Sequence, residues 1–333
     1  MGVRRTWAGA ALLVLGLSAC APLDGGDQVL QDIPEPTTAT ASAPPATTPA
    51  ETPTDPNRPT GKPADKPPPD GPDLDEDALR DFADMVEAQP GPDREVEGGD
   101  VSWPQCPKGM GIPEKKGLGL PMPLPSAEFV VLGLTNGPAF TPNPCLADQV
   151  QWVKERELMV AAYAVNSYPD DETLEEYGDE GPYDGSRRLG ALSNVGYQQA
   201  RFNLDTMESA DLETPVVWLD VEPVPVFEWS DDPRANAAVV RGAARGYTDA
   251  GYRIGAYSTV LLWQTVVGDF SLGVREWRAA GQTSREEALR RCGADYSFQG
   301  GEPLITQWVE DDRDRNVTCP GASTELGRWF HQY

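Results

Sequence analysis

From about residue 99 onward, short apolar runs alternate with longer amphipathic stretches. The runs at 129–134, 158–165, 215–222 and 252–257 are rich in Val, Leu, Ala and Tyr and predict strands, as does Asp100-Val-Ser-Trp103. Three weaker strands are predicted at 275–279, 303–308 and 316–318. Between them, 146–157, 187–207, 233–250 and 260–267 carry apolar positions at helical spacing. This alternation predicts a parallel β/α architecture, and about 235 residues come close to the ~250 of a (β/α)8 barrel. An open doubly wound sheet shares the alternation. The expectation is therefore an α/β fold, a (β/α)8 TIM-type barrel with irregularities, over residues 99–333.

The pattern ahead of residue 99 is different. Residues 1–20 place Arg4 and Arg5 before a ten-residue apolar run that ends in Leu17-Ser18-Ala19-Cys20. That run is half the ~20 residues a membrane span needs, and it reads as a lipoprotein signal peptide with a lipobox. Cys20 is then the predicted lipidation site, and the expected address is extracytoplasmic, anchored to the cell membrane by lipid. Residues 21–73 are Pro, Thr, Ala, Asp and Gly with almost no large apolar side chain, which predicts a disordered linker. In 74–98, Leu79, Phe82, Met85 and Val86 recur at helical spacing, predicting a short helix and connector.

Composition narrows the possible partners. A net charge of −26 and the lack of any long basic run after Arg5 argue against nucleic acid or an anionic membrane surface as a partner. With Cys20 lipidated, the five cysteines leave Cys106, Cys145, Cys292 and Cys319, an even set suited to disulfides in an oxidising compartment. Three pairings are possible, and the sequential pairs close the shortest loops. A zinc site would need Cys-x-x-Cys spacing or more histidine than His331 alone, so no metal is expected.

The single histidine also removes most nucleophile schemes, and no Gly-x-Ser-x-Gly, His-Glu-x-x-His or phosphate-binding Gly loop occurs in the globular part. What remains is carboxylates at strand ends. In Trp218-Leu-Asp220-Val-Glu222, alternation puts Trp218, Asp220 and Glu222 on one face. The two carboxyl groups can then address one substrate, and burial with like charge would raise one pKa enough to make it an acid at neutral pH. Asp100 opens the first strand, and Asp314 lies near the last. In a closed barrel those strands are neighbours, so the two can meet opposite the Asp220/Glu222 pair. Trp218 sits deeper than Asp220 and reads as packing, whereas Trp103 and Trp308 lie nearer strand ends, where ring faces can stack on sugar.

Asp100-Val-Ser at the first strand, Leu-Asp220-Val-Glu222 at a central one, Gly-Ala-Tyr257-Ser at the next, and Gln307-Trp308 before a final Asp-x-Asn resemble glycoside hydrolase family 25, the lysozyme-type muramidases. The strings Asp100-Val-Ser-Trp-Pro-Gln-Cys106 and Thr141-Pro-Asn-Pro-Cys145 look more like a secreted bacterial branch of related barrel domains. The resemblance covers 99–333 and implies cleavage of the β-1,4 link of peptidoglycan glycan at muramic acid, with no metal or organic cofactor. It implies Glu222 as general acid and base, Asp220 as stabiliser of the intermediate, and Asp100 and Asp314 as lining. Sugar contacts are implied for Asn136, Asn166, Tyr257, Gln307 and Trp308, beside Trp103. The second strand departs from the family pattern at Leu132-Gly-Leu-Thr-Asn136-Gly, and an acidic insertion over 168–184 follows the third strand. The rival reading is a non-catalytic lipoprotein that binds cell-wall glycan. Convergence of the four carboxyl groups on one open pocket separates the two.

Overall fold

The computed structural model describes residues 93–333. The predicted signal peptide, Cys20, the linker and the helix at 74–88 lie outside these residues. A nine-stranded sheet runs β1 (Glu97–Val101), β4 (Phe129–Gly133), β5 (Met159–Val165), β6 (Val216–Asp220), β7 (Arg253–Ser258), β8 (Glu276–Gln282), β9 (Pro303–Glu310), β10 (Arg313–Thr318) and β11 (His331–Gln332), numbered by chain order. The remaining two strands, β2 (Gly111–Ile112) and β3 (Lys115–Lys116), form a separate hairpin inserted between β1 and β4. Pairing of β5 with β6 closes all but β11 into a barrel, with β1 flanked by β4 and β10. Eight strands of this kind leave an interior that side chains can fill. Helices Leu146–Lys154, Arg188–Ser209, Pro233–Asp249 and Val260–Val267 pack on the outside at the positions that helical periodicity predicts. The acidic insertion contains the further helix Asp171–Tyr177.

The last barrel strand departs from a regular (β/α)8 order. β10 runs antiparallel to both β9 and β1, joined to β9 by Asp311 and Asp312 alone. Both residues have positive φ, 52° and 56°, the conformation of a type I′ hairpin turn, which Asp tolerates better than most residues. A two-residue turn cannot carry a crossover helix, so the chain reverses. Ordered structure also begins before residue 99: Arg94 pairs with Glu128, Val96 is buried, and β1 starts at Glu97.

Alternation sorts each strand's side chains into two layers. Leu132, Val160, Ala162, Val217, Leu219 and Ala256 face the helices. Phe129, Val131, Ala161, Trp218 and Trp277 face inward. Below them, Trp329 lies 5.3 Å from Trp218 and Phe330 lies 4.8 Å from Phe129, ring centroid to ring centroid. β11 pairs with Met159 and Val160 at the start of β5, so the C-terminal segment closes the N-terminal end of the barrel. The two disulfides are the sequential pairs, Cys106–Cys145 and Cys292–Cys319, each with Cα atoms 5.6 Å apart. The first ties the turn after β1 to the start of helix Leu146–Lys154.

Candidate active site

At the C-terminal mouth of the barrel lies a cleft of about 300 Å³ whose wall includes Asp100, Asp220, Glu222 and Asp314. These four acidic residues come from three strands and one strand-following loop. Asp220 ends β6 and pairs in register with Val165 of β5 and Tyr257 of β7, so it sits at one level of the barrel wall. Glu222 lies two residues on, past the strand end and half-buried. Its backbone is held by Trp229, whose indole N–H donates to the Glu222 carbonyl at 2.9 Å. The Ser258 hydroxyl donates to the preceding carbonyl, Val221, at 2.7 Å. Asp100 and Asp314 are directly paired between β1 and β10.

The floor below the carboxyl groups is aromatic. Tyr163, Tyr257 and Trp277 line the cleft, with Trp277 centred 4.5 Å from Tyr257 and 5.7 Å from Tyr163. A hydrogen-bonded chain crosses this floor. The Tyr257 hydroxyl donates to Gln307 Oε1 at 2.8 Å, and Gln307 Nε2 donates to both Asp100 oxygens at 3.0 and 3.1 Å. From the other side the Trp277 indole donates to Asn316 Oδ1 at 2.7 Å, and Asn316 Nδ2 donates to Asp100 Oδ1 at 2.6 Å. Asp100 thus accepts from two amides, each oriented by an aromatic donor behind it. Asp220 Oδ1, by contrast, is buried with no partner among the described residues.

These environments separate the four groups. Burial pushes Asp100 up to about 6, with the Gln307 and Asn316 amides opposing the rise by stabilising the anion. Burial, together with the Glu222 and Asp100 charges, drives Asp220 well above the carboxylate range. Asp314 rises well above that range as well, through burial and then the Asp100 and Glu222 charges. Glu222 is pushed up to about 7 by burial and the Asp100 charge, while the Lys115 ammonium pulls the other way. Near neutral pH the cluster therefore holds both proton donors and an amide-supported anion. A general acid works best with its pKa close to the working pH, which is where Glu222 lies.

Tyr257, Gln307 and Trp103 line the same cleft. Three other residues expected to contact sugar do not. Trp308 follows Gln307 on β9 and so points the opposite way, fully buried against Ala288 and Val317 with the Arg315 guanidinium 4.8 Å above its ring. Asn136 spends its side chain on the β2–β3 hairpin, accepting from Ile112 N and donating to the Lys115 carbonyl, both at 3.0 Å. Asn166 follows the inward-facing Val165 and is buried outside the cleft lining. Lys115, Tyr163 and Trp277 were absent from the sequence-based site, and Asn316 entered only through the final Asp-x-Asn string, without a role. Period-2 alternation from Asp314 could have flagged Asn316, whereas the hairpin that carries Lys115 has no apolar pattern to find. Among the described residues, no three or more His, Cys, Asp or Glu side chains form a group that could hold a metal ion.

Residues 190–288 match the model of a family described as lysozyme-like protein 1. That stretch includes Asp220, Glu222, Tyr257 and Trp277, and leaves out Asp100, Gln307 and Asp314. No curated protein matches the chain. Among solved structures, similarity is found to a muramidase from Acremonium alcalophilum, 13% identical over 70% of this chain and 99% of that one, with a TM-score of 0.44. A family GH25 lysozyme from Aspergillus fumigatus gives 14% identity, 71% and 99% coverage, and a TM-score of 0.44. The modular autolysin LytC from Streptococcus pneumoniae, solved with a synthetic peptidoglycan ligand, gives 12% identity and a TM-score of 0.41 over 67% of this chain. The match spans about half of that autolysin, 46% of its length. The chain thus resembles lysozyme-like proteins over residues 190–288, and its barrel has GH25 muramidases among its structural neighbours.

Proposed function

We propose that the barrel hydrolyses cell-wall glycan of the peptidoglycan type by carboxyl acid/base catalysis, with Glu222 as the acid. One observation carries this reading: four acidic residues converge in one open cleft, and the half-buried one at its mouth titrates near neutrality. The resemblance of residues 190–288 to a lysozyme-like family supports the same reaction class.

In this mechanism Glu222 gives its proton to the bridging oxygen as the bond from that oxygen to the anomeric carbon breaks. Positive charge builds on the sugar, and the amide-supported Asp100 carboxylate offsets it, with the Asp220 carboxyl group beside it as a polar neighbour. Water then adds hydroxide to the anomeric carbon and returns a proton to Glu222. Asp314 keeps its proton beside Asp100, and Tyr257 and Gln307 keep Asp100 oriented. Trp103 offers an aromatic face at the rim. No step calls on a metal or an organic cofactor.

The bond we assign is the β-1,4 link at muramic acid. Mass spectrometry of fragments released from purified peptidoglycan tests it: muramic acid at the new reducing end is expected, and N-acetylglucosamine there would reassign the bond. We further infer a lipid anchor on Cys20 with residues 21–73 as a spacer, which would set the enzyme beside its polymer. Palmitate labelling that persists in Cys20→Ala would contradict the anchor.

A further inference from the structure

Among the described residues, Lys115 is the sole Lys, Arg or His in the lining of the cleft. It stands on the β2–β3 hairpin, an insertion that the barrel itself does not require. The hairpin is held firmly. Asn136 bonds to both of its strands, and the Cys106–Cys145 disulfide secures the chain just ahead of it. Gly111, at φ +106°, pairs with Lys116 where an added Cβ would fall 2.4 Å from Asn136 Oδ1, so glycine is required at that contact.

The Lys115 ammonium lies 5.7 Å from the centre of the Trp103 ring and forms no ion pair among the described residues. This half-buried ammonium has the Trp103 ring face and the Glu222 charge nearby but no bonded anion, so it can still take one from a ligand. The Asp100 carboxylate, joined by Glu222 once it ionises, would repel an anionic ligand from the rest of the cleft. One wall alone can admit negative charge, and its single ammonium matches a single charge. A doubly charged phosphate monoester would leave one charge uncompensated against the carboxyl groups.

On these grounds, and resting on the hydrolase reading above, we propose that Lys115 determines specificity by pairing with a carboxylate carried on the glycan beside the scissile bond. The pairing selects acidic glycan over neutral glycan of the same backbone. Lys115 is a binding residue in this account, and Glu222 remains the acid.

Calorimetric binding to the full-length Glu222→Gln protein tests the proposal without turnover. The probes are soluble glycan strands with free carboxylates and the same strands with every carboxylate converted to methylamide. About 10-fold weaker binding of the amidated strands is expected, the size of one modest charge pair. Adding Lys115→Met should weaken carboxylate binding by the same factor and abolish the preference, while adding Lys115→Arg should restore it. Matched thermal unfolding of the three proteins shows that each is folded. Equal binding of both strands by the parent, a preference that survives Lys115→Met, or no binding of either strand overturns the proposal. Cleavage by the wild type is assayed separately, so selective binding without cleavage would remove the hydrolase and leave the carboxylate site standing.

Discussion

Asp100 and Asp314 face each other directly across the antiparallel seam between β1 and β10. Like charges at paired positions repel, and here both line the same aromatic-floored cleft. The two cannot both be ionised cheaply. The Gln307 and Asn316 amides settle which carboxyl group keeps the charge, because both donate to Asp100. Asp314 is left to retain its proton.

A stability profile follows from that arrangement. Asp100 titrates at about 6 and Glu222 at about 7, and Asp220 and Asp314 are raised further, so the folded protein binds more protons than the unfolded chain above pH 4. Each raised carboxyl group contributes stability that is complete below its unfolded pKa and is lost as pH climbs through the folded one. At these four groups, stability against thermal unfolding should therefore fall from about pH 4 to pH 7. Asp314→Asn should flatten the profile and raise the melting temperature at pH 7. A wild-type melting temperature that rises steadily across this window would contradict the assignment.

The pH dependence of activity has a separate cause. Glu222 must hold a proton to act, so kcat/KM should fall as pH rises through about 7. Lys115→Met removes the charge that opposes this rise and should move that limb to higher pH. Initial rates on soluble glycan strands across pH 5 to 9 would show it. A limb that stays in place would mean that the descending limb reports a group other than Glu222.

Below the site, Glu276 and Arg278 form a fully buried ion pair, Arg278 Nε to Glu276 Oε2 at 2.7 Å. Glu276 also accepts from the backbone of Gln299 and Gly301 at 3.0 Å, and Arg278 donates to the carbonyls of Arg291 and Gly293 at 2.8 and 2.7 Å. Together they fasten the loop before β9. Arg278→Met leaves Glu276 buried without its counter-ion and should cost about 3–5 kcal/mol, read from denaturant unfolding. A change under about 1 kcal/mol would show that the loop holds itself.

The central strands at 129–134, 158–165, 215–222 and 252–257 were legible from apolar runs, because burial on both faces leaves an uninterrupted signal, whereas those at 275–279, 303–308 and 316–318 left a weaker one. Alternation also placed Asp220 and Glu222 on one wall, and barrel closure brought Asp100 to Asp314. The reversal of β10 was not legible, since it depends on two Asp residues adopting positive φ and no hydrophobic pattern records that. Trp308 was misplaced by counting aromatics near strand ends without applying the alternation that Gln307 beside it already fixed. Asn136 was assigned to sugar because its role depends on a hairpin of two-residue strands, too short to leave a periodic trace. Lys115 went unnoticed for the same reason.

The central claim, that Glu222 is the acid of a glycan hydrolase, is tested most directly by release of reducing ends from purified peptidoglycan. Full-length wild type and Glu222→Gln are compared, with both shown to be folded by circular dichroism. The account predicts release by the wild type and a loss of about 10²–10⁴-fold in the variant. No release by folded wild type, or equal release by the two proteins, would contradict it.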